Sequence, residues 1–529
     1  MKTGRQKTLN LALLIAVVIL VNVISMQFFR RFDLTGEGKY TLSDASKNLV
    51  RSLDDKFLVK AYYSEGIPAP YNNERRYLQD QLDEYRAYGG KNFQYEFIDP
   101  KSSPELEQEA QRYGIPPVQV QVLKEDKFQV ENVYMGLVFL YGDKQERIPV
   151  VRSTSNLEYE ISSAVKKLSA KELLKIGFLT GQGEPELDQF KRLQEILAKQ
   201  YAVTRVDLTG GREVPRDISI LVMAAPTRKF ASWEKYLIDQ FLMKGGRVAF
   251  FLNKVDISLQ GQTGRPLDLG LDDMLASYGI RLNTDLVRDR SCAYVTVSQQ
   301  AGFMVIQNQI PFYYLPRASK FEESSPLVKG LNSVVLYFAS SIDTSLARSK
   351  GLITNVLLRS SGESGRQENV FVVDPMTPVT KEMFAEKGIP LVVTVEGSFV
   401  SSFANSPVVL DSTVTVPIDT IHRVLTGQKL SKIVVVGDGD FMQDQLSGGN
   451  ADNFLLASNL VDWLADDIGL SQIRARNSGD RPLDEVSDRT RNMLKGANLA
   501  LPPILVILVG VLRWRWRVAA RKRIEMRGF

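Results

Sequence analysis

The first third of the chain alternates between short apolar runs and amphipathic segments. A strand pattern at residues 57–63 is followed by a helical pattern at residues 74–88, closed by two glycines. Further segments complete the order β-α-β-α-β-β-α, with Ile115-Pro116-Pro117 just before the third strand. This order is typical of a thioredoxin-like domain, although the loop after the first strand has no cysteine. We therefore predict a thioredoxin-like α/β domain without redox cysteines at residues 32–170.

A second alternating pattern extends over residues 171–475. Apolar strands are predicted at residues 175–179, 218–224, 247–252 and 432–436, with amphipathic helices between or after them. Such alternation predicts a largely parallel sheet covered by helices on both faces. The predicted fold class is therefore α/β, with a larger doubly wound, flavodoxin-like domain after the thioredoxin-like one.

Both ends of the chain carry apolar runs that indicate transmembrane helices. Residues 9–29 are nearly all apolar and match the roughly 20 residues that a spanning helix needs, so we predict an uncleaved signal anchor. The run at residues 497–512 contains Pro502 and Pro503 and reaches only about 24 Å, so spanning requires flanking side chains to snorkel. A transmembrane helix is predicted at residues 497–514, with a buried core helix as the alternative.

Positive side chains flank both runs on their outer sides. The inside-positive rule then places residues 1–8 and 515–529 in the cytoplasm and the body outside it, with a polar linker at residues 476–496. The basic tail is either a stop-transfer anchor attracted to anionic lipid or a docking surface for a cytoplasmic partner. The predicted membrane or partner docking residues are Arg513, Trp514, Arg515, Trp516, Arg517 and Arg521.

Charge and composition exclude several functions. The net charge of +5 and pI near 8.9 point toward nucleic acid, but residues 1–31 and 513–529 hold 12 Lys and Arg against one acid. The body between them is therefore net acidic, and no nucleic-acid partner is predicted. Because the chain has one cysteine and one histidine, it cannot build a disulfide framework or a Cys/His zinc site. A nucleophilic dyad would have to be formed by Cys292 with His422. The alternative is that Cys292 is a small half-buried residue and His422 a solvated loop residue.

Two turns rich in glycine and acidic residues follow predicted strands of the second domain. Ligands of open α/β sheets sit at the carboxyl ends of strands, and the carboxylates there could hold a divalent cation. Glycine and aspartate also serve tight turns, through positive φ and capping, without binding anything. We favour turn geometry over a metal site, and P-loop and nucleophile-elbow motifs are missing, so no metal, no cofactor and no catalytic residue is predicted. The candidate ligand-binding residues are Gly181, Gly183, Glu184, Asp438 and Asp440.

Several motifs in fixed order resemble the GldG-like family of ABC transporter auxiliary components, named for gliding motility. They lie at residues 33–35, 40–43, 97–100, 113–115, 180–184, 244–247, 437–441 and 459–464. Each motif alone is weak, but their order covers nearly the whole chain. The resemblance implies a bacterial inner-membrane subunit with a periplasmic body and a glutamine-amidotransferase-like second domain that lacks the cysteine nucleophile.

The function that this resemblance implies is that of a non-enzymatic auxiliary subunit of an ABC transporter. Its partners would be a separate multi-span permease, a cytoplasmic ATPase and the lipid bilayer. The extracytoplasmic body would bind cargo or an envelope component and couple that binding to transport. The alternative is an extracytoplasmic hydrolase or glycan-processing enzyme that uses the acidic turns.

Overall fold

The computed structural model describes most of the chain outside its N-terminal 40 residues. The described residues are 41–67, 72–124, 127–151, 154, 156–301, 304–318, 321–322, 325–447, 449–466, 469, 473 and 488–525. The chain divides into two compact units, residues 1–479 and residues 480–529. The boundaries predicted for the domains inside the larger unit stay predictions.

The N-terminal part of the larger unit is built on a four-stranded mixed sheet. Its elements are α1 (Asp44–Arg51), β1 (Phe57–Tyr63), α2 (Asn72–Gly89), β2 (Phe93–Ile98), α3 (Pro104–Arg112), β3 (Val118–Lys124), β4 (Lys127–Val133), β5 (Met135–Tyr141), β6 (Lys144–Ile148) and α4 (Leu157–Ser169). The sheet order is β2-β1-β5-β6, in which β1 is parallel to β2 and antiparallel to β5. Strands β3 and β4 form a separate hairpin.

Aromatic side chains fill the core of this part. On α2, the spacing of Leu78, Leu82 and Tyr85 puts all three on one helical face, and all three are buried. The rings of Phe57 and Phe93 stack at 5.7 Å between β1 and β2. Tyr85 also bonds to α4, because its hydroxyl lies 3.0 Å from the carbonyl oxygen of Glu158. The predicted amphipathic helix therefore buries the face that its sequence pattern indicates.

The rest of the larger unit alternates strands and helices and then inserts small antiparallel sheets. The first elements are β7 (Lys175–Thr180), α5 (Lys191–Leu197), β8 (Ala202–Asp207), β9 (Ile218–Ala224), α6 (Ser232–Met243) and β10 (Arg247–Phe251). The inserted elements are β11 (Val255–Ser258), β12 (Thr263–Pro266), α7 (Asp272–Ser277), β13 (Arg281–Leu282), β14 (Asp285–Asp289), β15 (Cys292–Ala301), β16 (Met304–Ala318), β17 (Val334–Val335), β18 (Ile342–Asp343), α8 (Ser345–Ser349), β19 (Ile353–Arg359), β20 (Ser364–Glu368), β21 (Phe371–Val372) and β22 (Pro390–Gly397). The last elements are β23 (Ser431–Val436), α9 (Asp444–Ser447) and α10 (Ala451–Leu464).

A seven-stranded sheet is the centre of this part. Its order is β19-β22-β23-β10-β9-β7-β8, and the five strands from β23 to β8 are parallel to their neighbours. Strand β22 is antiparallel to β23, and β19 is antiparallel to β22. The predicted parallel sheet is therefore present, and an antiparallel pair extends one side of it.

Helices cover both faces of the central sheet. On one face, Ile220 and Val222 of β9 share a hydrophobic cluster with residues of α5 and α10. On the other face, Leu221 and Met223 of the same strand share a second cluster with residues of α6 and α7. Because successive strand residues point to opposite faces, a strand that is buried on both sides reads as a continuous apolar run.

The structure corrects the fold class and the location predicted from the chain ends. Among the described residues, no helix has both the length and the apolarity that a membrane crossing requires. Helix α11 (Asp488–Glu525) contains the apolar run 497–512, whose length of about 24 Å is below the roughly 30 Å of a hydrocarbon core. The span predicted at residues 497–514 and the two-span inner-membrane location are therefore wrong. The span predicted at residues 9–29 lies outside the described residues.

Candidate functional site

The two acidic turns lie at the carboxyl edge of the central sheet. The β7 turn, residues 181–184, follows the end of β7 at Thr180, and the β23 turn, residues 437–441, follows the end of β23 at Val436. Parallel strands end at one edge, so both turns lie at the edge where ligands of such sheets bind. Strands β9 and β10 stand between β7 and β23, so each turn has its own set of neighbours.

The glycines of the β7 turn are required by backbone conformation and by a close approach. Gly181 has φ of 106° and Gly183 has φ of 78°, a region that favours glycine. A Cβ atom at Gly183 would lie 2.2 Å from the hydroxyl oxygen of Thr227. The backbone N–H groups of Thr227 and Arg228 both donate to the carbonyl oxygen of Gln182 at 2.9 Å. The turn is thus fastened to the segment that follows β9.

Glu184 has the most unusual carboxyl group of the β7 turn. Its Oε2 accepts a 2.7 Å hydrogen bond from the backbone N–H of Gln182, while its buried Oε1 has no hydrogen-bond partner. Burial raises the pKa of Glu184 to about 7; backbone hydrogen bonds and Arg228 oppose this rise, and the nearby charge of Glu234 adds to it. This carboxyl group therefore titrates close to neutral pH.

Removing the Glu184 charge is expected to stabilise the protein at alkaline pH. A carboxyl whose folded pKa is raised contributes stability that is present below its unfolded pKa, near 4.5, and is lost as pH rises through 7. Glu184→Gln keeps an oxygen for the Gln182 N–H, so we expect a gain of about 2 kcal/mol over wild type at pH 8 and little difference at pH 4.5. Urea unfolding of both proteins across this pH range measures the effect.

The exposed Glu186 provides the matched control for this measurement. Glu186→Gln removes the same charge two residues away, at an exposed side chain whose Oε2 lies 3.1 Å from the guanidinium of Arg205. We expect it to lack the gain in stability at pH 8 that Glu184→Gln shows. An equal pH dependence for the two variants would contradict the burial of Glu184 as the cause.

Asp438 of the β23 turn acts as an internal hydrogen-bond acceptor. Its side chain is completely buried, and its two oxygens accept from the backbone N–H of Tyr337 at 2.6 Å and of Asp440 at 2.8 Å. Burial, and then the charge of Asp440, raise the pKa of Asp438 well above its usual range. The carboxyl group therefore ties the segment after β17 to the β23 turn.

Asp440 is held by neutral amide groups. The Nδ2 of Asn253 donates to its Oδ2 at 2.7 Å, and the side-chain amide of Gln443 donates to its Oδ1. Asn253 also accepts from the backbone N–H of Gly439 at 2.8 Å. Burial raises the pKa of Asp440, and the hydrogen bond from Asn253 opposes that rise. Both oxygens are therefore already engaged within the protein.

The predicted site residues do not form one common ligand shell. Within the part of the chain that the structure describes, no three Asp, Glu, His or Cys side chains are grouped to hold a metal ion. Cys292 is buried in β15, and burial raises the pKa of its thiol to about 11, which leaves little nucleophilic thiolate. His422 is exposed, and its Nδ1 lies 3.0 Å from the Oδ2 of Asp419.

Sequence reasoning missed the neighbours that hold these turns. Asn253 follows the apolar strand β10 in the way that the acidic residues follow theirs, so strand-end polarity was the signal that could have found it. Tyr337 gave no signal, because it contributes a backbone N–H group.

At the opposite edge of the sheet, a cavity of about 680 Å³ is lined by Tyr236, His422 and the 244–247 motif, among others.

The predicted docking residues lie in the smaller unit. Arg513, Arg515 and Arg517 of α11 are exposed, and the side chains of Trp514 and Trp516 are 64% and 80% exposed. Arg521 belongs to the same helix. Their role in binding a partner stays a prediction.

Comparison with protein-family models gives two matches. Residues 174–465, more than half of the chain, match the model described as an ABC-type uncharacterized transport system, ABC_transp_aux. Residues 36–140 match a domain of unknown function, DUF7088. The first match covers the whole central sheet and both acidic turns.

Comparison with individual proteins gives less specific information. An uncharacterized protein of Borreliella burgdorferi is 23% identical over 97% of this chain and 99% of its own length. Among solved structures, the mmIFT52 N-terminal domain is 14% identical over 55% of this chain and 97% of its own, with a TM-score of 0.33. PurLQS from Thermotoga maritima is 9% identical over 55% of this chain and 100% of its own, with a TM-score of 0.24. These comparisons give no support to the thioredoxin-like assignment or to a link with gliding motility.

Proposed function

Because this chain belongs to the family described as an ABC-type uncharacterized transport system, we propose that it is a non-enzymatic auxiliary component of an ABC transporter. The family match confirms the predicted ABC transporter auxiliary class and an association with ABC transport. A separate permease and a separate ATPase are the partners that we propose. The narrower GldG-like assignment stays a prediction.

The family match over the central sheet is the observation that carries this proposal. The hydrogen bonds of the strand-end carboxyl groups support the proposal that the protein is not an enzyme. Asp438 and Asp440 direct all four oxygens to donors within the chain, so neither presents a free carboxylate to a substrate. We propose that the α/β body binds the transported substrate or a partner protein and performs no chemistry on it.

Coupling to transport then requires a difference in contacts between two states of the transporter. The interconversion of the two transporter states can shift the α/β body only if the body binds them with different free energies. Helix α11 supplies a candidate contact surface, because Arg513 and Arg517, four residues apart on one helical face, are exposed and cationic. We propose that these residues dock on an acidic surface of the permease or the ATPase.

Co-purification is expected to test this function directly. The tagged full-length chain should recover a multi-span subunit together with a subunit that carries the P-loop motif G-x-x-x-x-G-K-[ST]. Adding the purified chain to the same two subunits prepared without it should change their rate of ATP hydrolysis at least about twofold, since coupling shifts the populations of the two states. Purification of the chain without either subunit would contradict the proposal.

Charge reversal on α11 gives a matched pair of variants for the same assay. The double variant Arg513→Glu, Arg517→Glu should lose most of the co-purified ATPase, because like charges would then face each other. Arg205→Glu, at an exposed residue of β8 outside the proposed contact, should retain it. Equal recovery by both proteins would assign the contact to another surface and remove α11 from the proposal.

The hydrolase alternative rests on one observation, the near-neutral pKa of Glu184. A general acid needs a pKa near the working pH, so this group has a suitable value. The alternative predicts that the purified chain alone hydrolyses a glycan or ester substrate and that Glu184→Gln abolishes the reaction. The auxiliary role predicts that Glu184→Gln leaves transporter stimulation unchanged.

A further inference from the structure

The two longest strands in the described part of the chain form an uncharged β-hairpin. Strands β15 (Cys292–Ala301) and β16 (Met304–Ala318) pair along their length with no partner for the distal part among the described residues. Residues 291–316 contain no Asp, Glu, Lys, Arg or His, although 24% of the whole chain is charged. Natural proteins usually place charges on exposed strand edges to prevent pairing with other chains. The complete absence of charges here indicates that this strand edge can form hydrogen bonds with a strand of another chain.

One face of the hairpin is mainly apolar. Residues directly opposite each other share a face, and on this face the register pairs Val295 with Ile310, Val297 with Asn308 and Gln299 with Ile306. Ile306 is 46% exposed and Val297 is half-buried, whereas Val295 packs against the core cluster that includes Leu286 and Phe312. The opposite face carries Thr296 and Ser298. An isolated two-stranded hairpin is only marginally stable in water, so an apolar face of this length gains stability from further strands.

The two outer edges of the hairpin differ. The edge of β16 is covered near its base, where Leu336 and Phe338 donate backbone N–H groups to Pro316 and Tyr314 at 3.0 Å and 2.9 Å. Farther out, Pro311 lies opposite Tyr294 and removes one outward donor from that edge. The outer edge of β15 between residues 293 and 301 contains no proline. Within the described residues, no other segment forms backbone hydrogen bonds to this edge.

We propose that the outer edge of β15 pairs antiparallel with β15 of a second copy of this chain, forming a two-fold dimer through a continuous four-stranded sheet. A strand that pairs antiparallel with its own copy is automatically related to it by a two-fold axis. Pairing residues 293–301 in this way forms about eight hydrogen bonds, close to the roughly 10 of a typical interface. The inference goes beyond the auxiliary role proposed above.

Charge favours a second copy over a different partner. Interfaces between different proteins gain specificity from complementary charges, and this edge offers no charge to complement. Two copies of the same neutral edge meet without like-charge repulsion, and their apolar faces join into one surface. The Thr296 and Ser298 hydroxyls of the other face stay accessible to water.

Sedimentation velocity of the full-length chain tests the dimer. The wild type is expected to shift from monomer to dimer between about 1 and 50 μM, as is typical of a standard-size interface of moderate affinity. Val297→Asp places a charge on the shared apolar face and should raise the dimer dissociation constant at least tenfold. Gln307→Asp, an equal charge at an exposed residue of β16, should leave it unchanged.

Cysteine crosslinking locates the contact independently of affinity. In a Cys292→Ser background, cysteines introduced singly at Thr296, Val297 and Ser298 are expected to give an interchain disulfide in at least one case, whereas Gln307→Cys gives none. Circular dichroism of every variant confirms folding. A wild type that stays monomeric at 50 μM, equal effects of Val297→Asp and Gln307→Asp, or a hairpin that crosslinks only to a different protein would each overturn the proposal.

Discussion

Replacing Asp438 with alanine is expected to destabilise the protein by about 3 kcal/mol. The substitution leaves the backbone N–H groups of Tyr337 and Asp440 without their acceptors in a completely buried site, and each orphaned donor costs about 1–3 kcal/mol. The loss should appear as a lower urea midpoint with an unchanged slope. A large effect would identify this carboxyl as part of the architecture of the β23 turn.

Asp438→Asn separates the loss of one accepted hydrogen bond from the loss of both. Asparagine keeps the shape of the side chain and one acceptor oxygen, so one of the two N–H groups stays satisfied. We expect a cost of about 1 kcal/mol, well below that of the alanine variant. If Asp438→Ala unfolds within about 0.5 kcal/mol of wild type, the carboxyl group has no structural role, and ligand binding becomes the better explanation of its position.

Gly437→Ala is expected to cost about 3 kcal/mol or more for a steric reason. An added Cβ atom would lie 2.0 Å from the carbonyl oxygen of Ser340. That backbone cannot move away easily, because the N–H of Ser340 donates to the carbonyl oxygen of Gly437 at 2.7 Å and the Ser340 hydroxyl donates to the backbone carbonyl oxygen of Asp285 at 2.8 Å. Overpacking against fixed backbone typically costs 1–3 kcal/mol, occasionally more.

Gly362→Ala is the matched control for this steric prediction. An added Cβ atom there meets no atom within 4 Å, and the residue does not have positive φ. We expect a change within about 0.5 kcal/mol, as for most exposed substitutions. Thermal and urea unfolding of the two variants should therefore differ clearly. Equal stability would mean that the segment containing Ser340 lies farther from β23 than the structure shows.

Much of the local structure was predictable because its signals are local. The strand at residues 57–63, the buried face of α2 and the parallel strands of the central sheet all follow from periodicity. The apolar run at residues 497–512 shows the limit of this reasoning. Positive flanking residues made it read as a membrane segment, whereas its length and its two prolines within a 38-residue helix do not satisfy the requirements of a span.

The candidate site was predictable in position but not in its interactions. Strand-end turns with glycine and acidic residues indicated the correct edge of the sheet. Sequence could not show that Glu184 has an unpartnered oxygen while Asp438 has none, because Thr227, Tyr337 and Asn253 come from distant parts of the chain. Such neighbours depend on strand order, which periodicity does not specify.

Residue type and spacing were sufficient to predict the strands of the parallel sheet, the buried face of α2, the turn glycines and the stretch of 26 residues without charge. The long strands β15 and β16 were not predicted. The tertiary structure decided that β9 and β10 separate the two acidic turns and that β15 is the open edge of the hairpin. Burial and hydrogen-bond satisfaction depend on contacts between residues far apart in the chain, so only the folded arrangement assigns them.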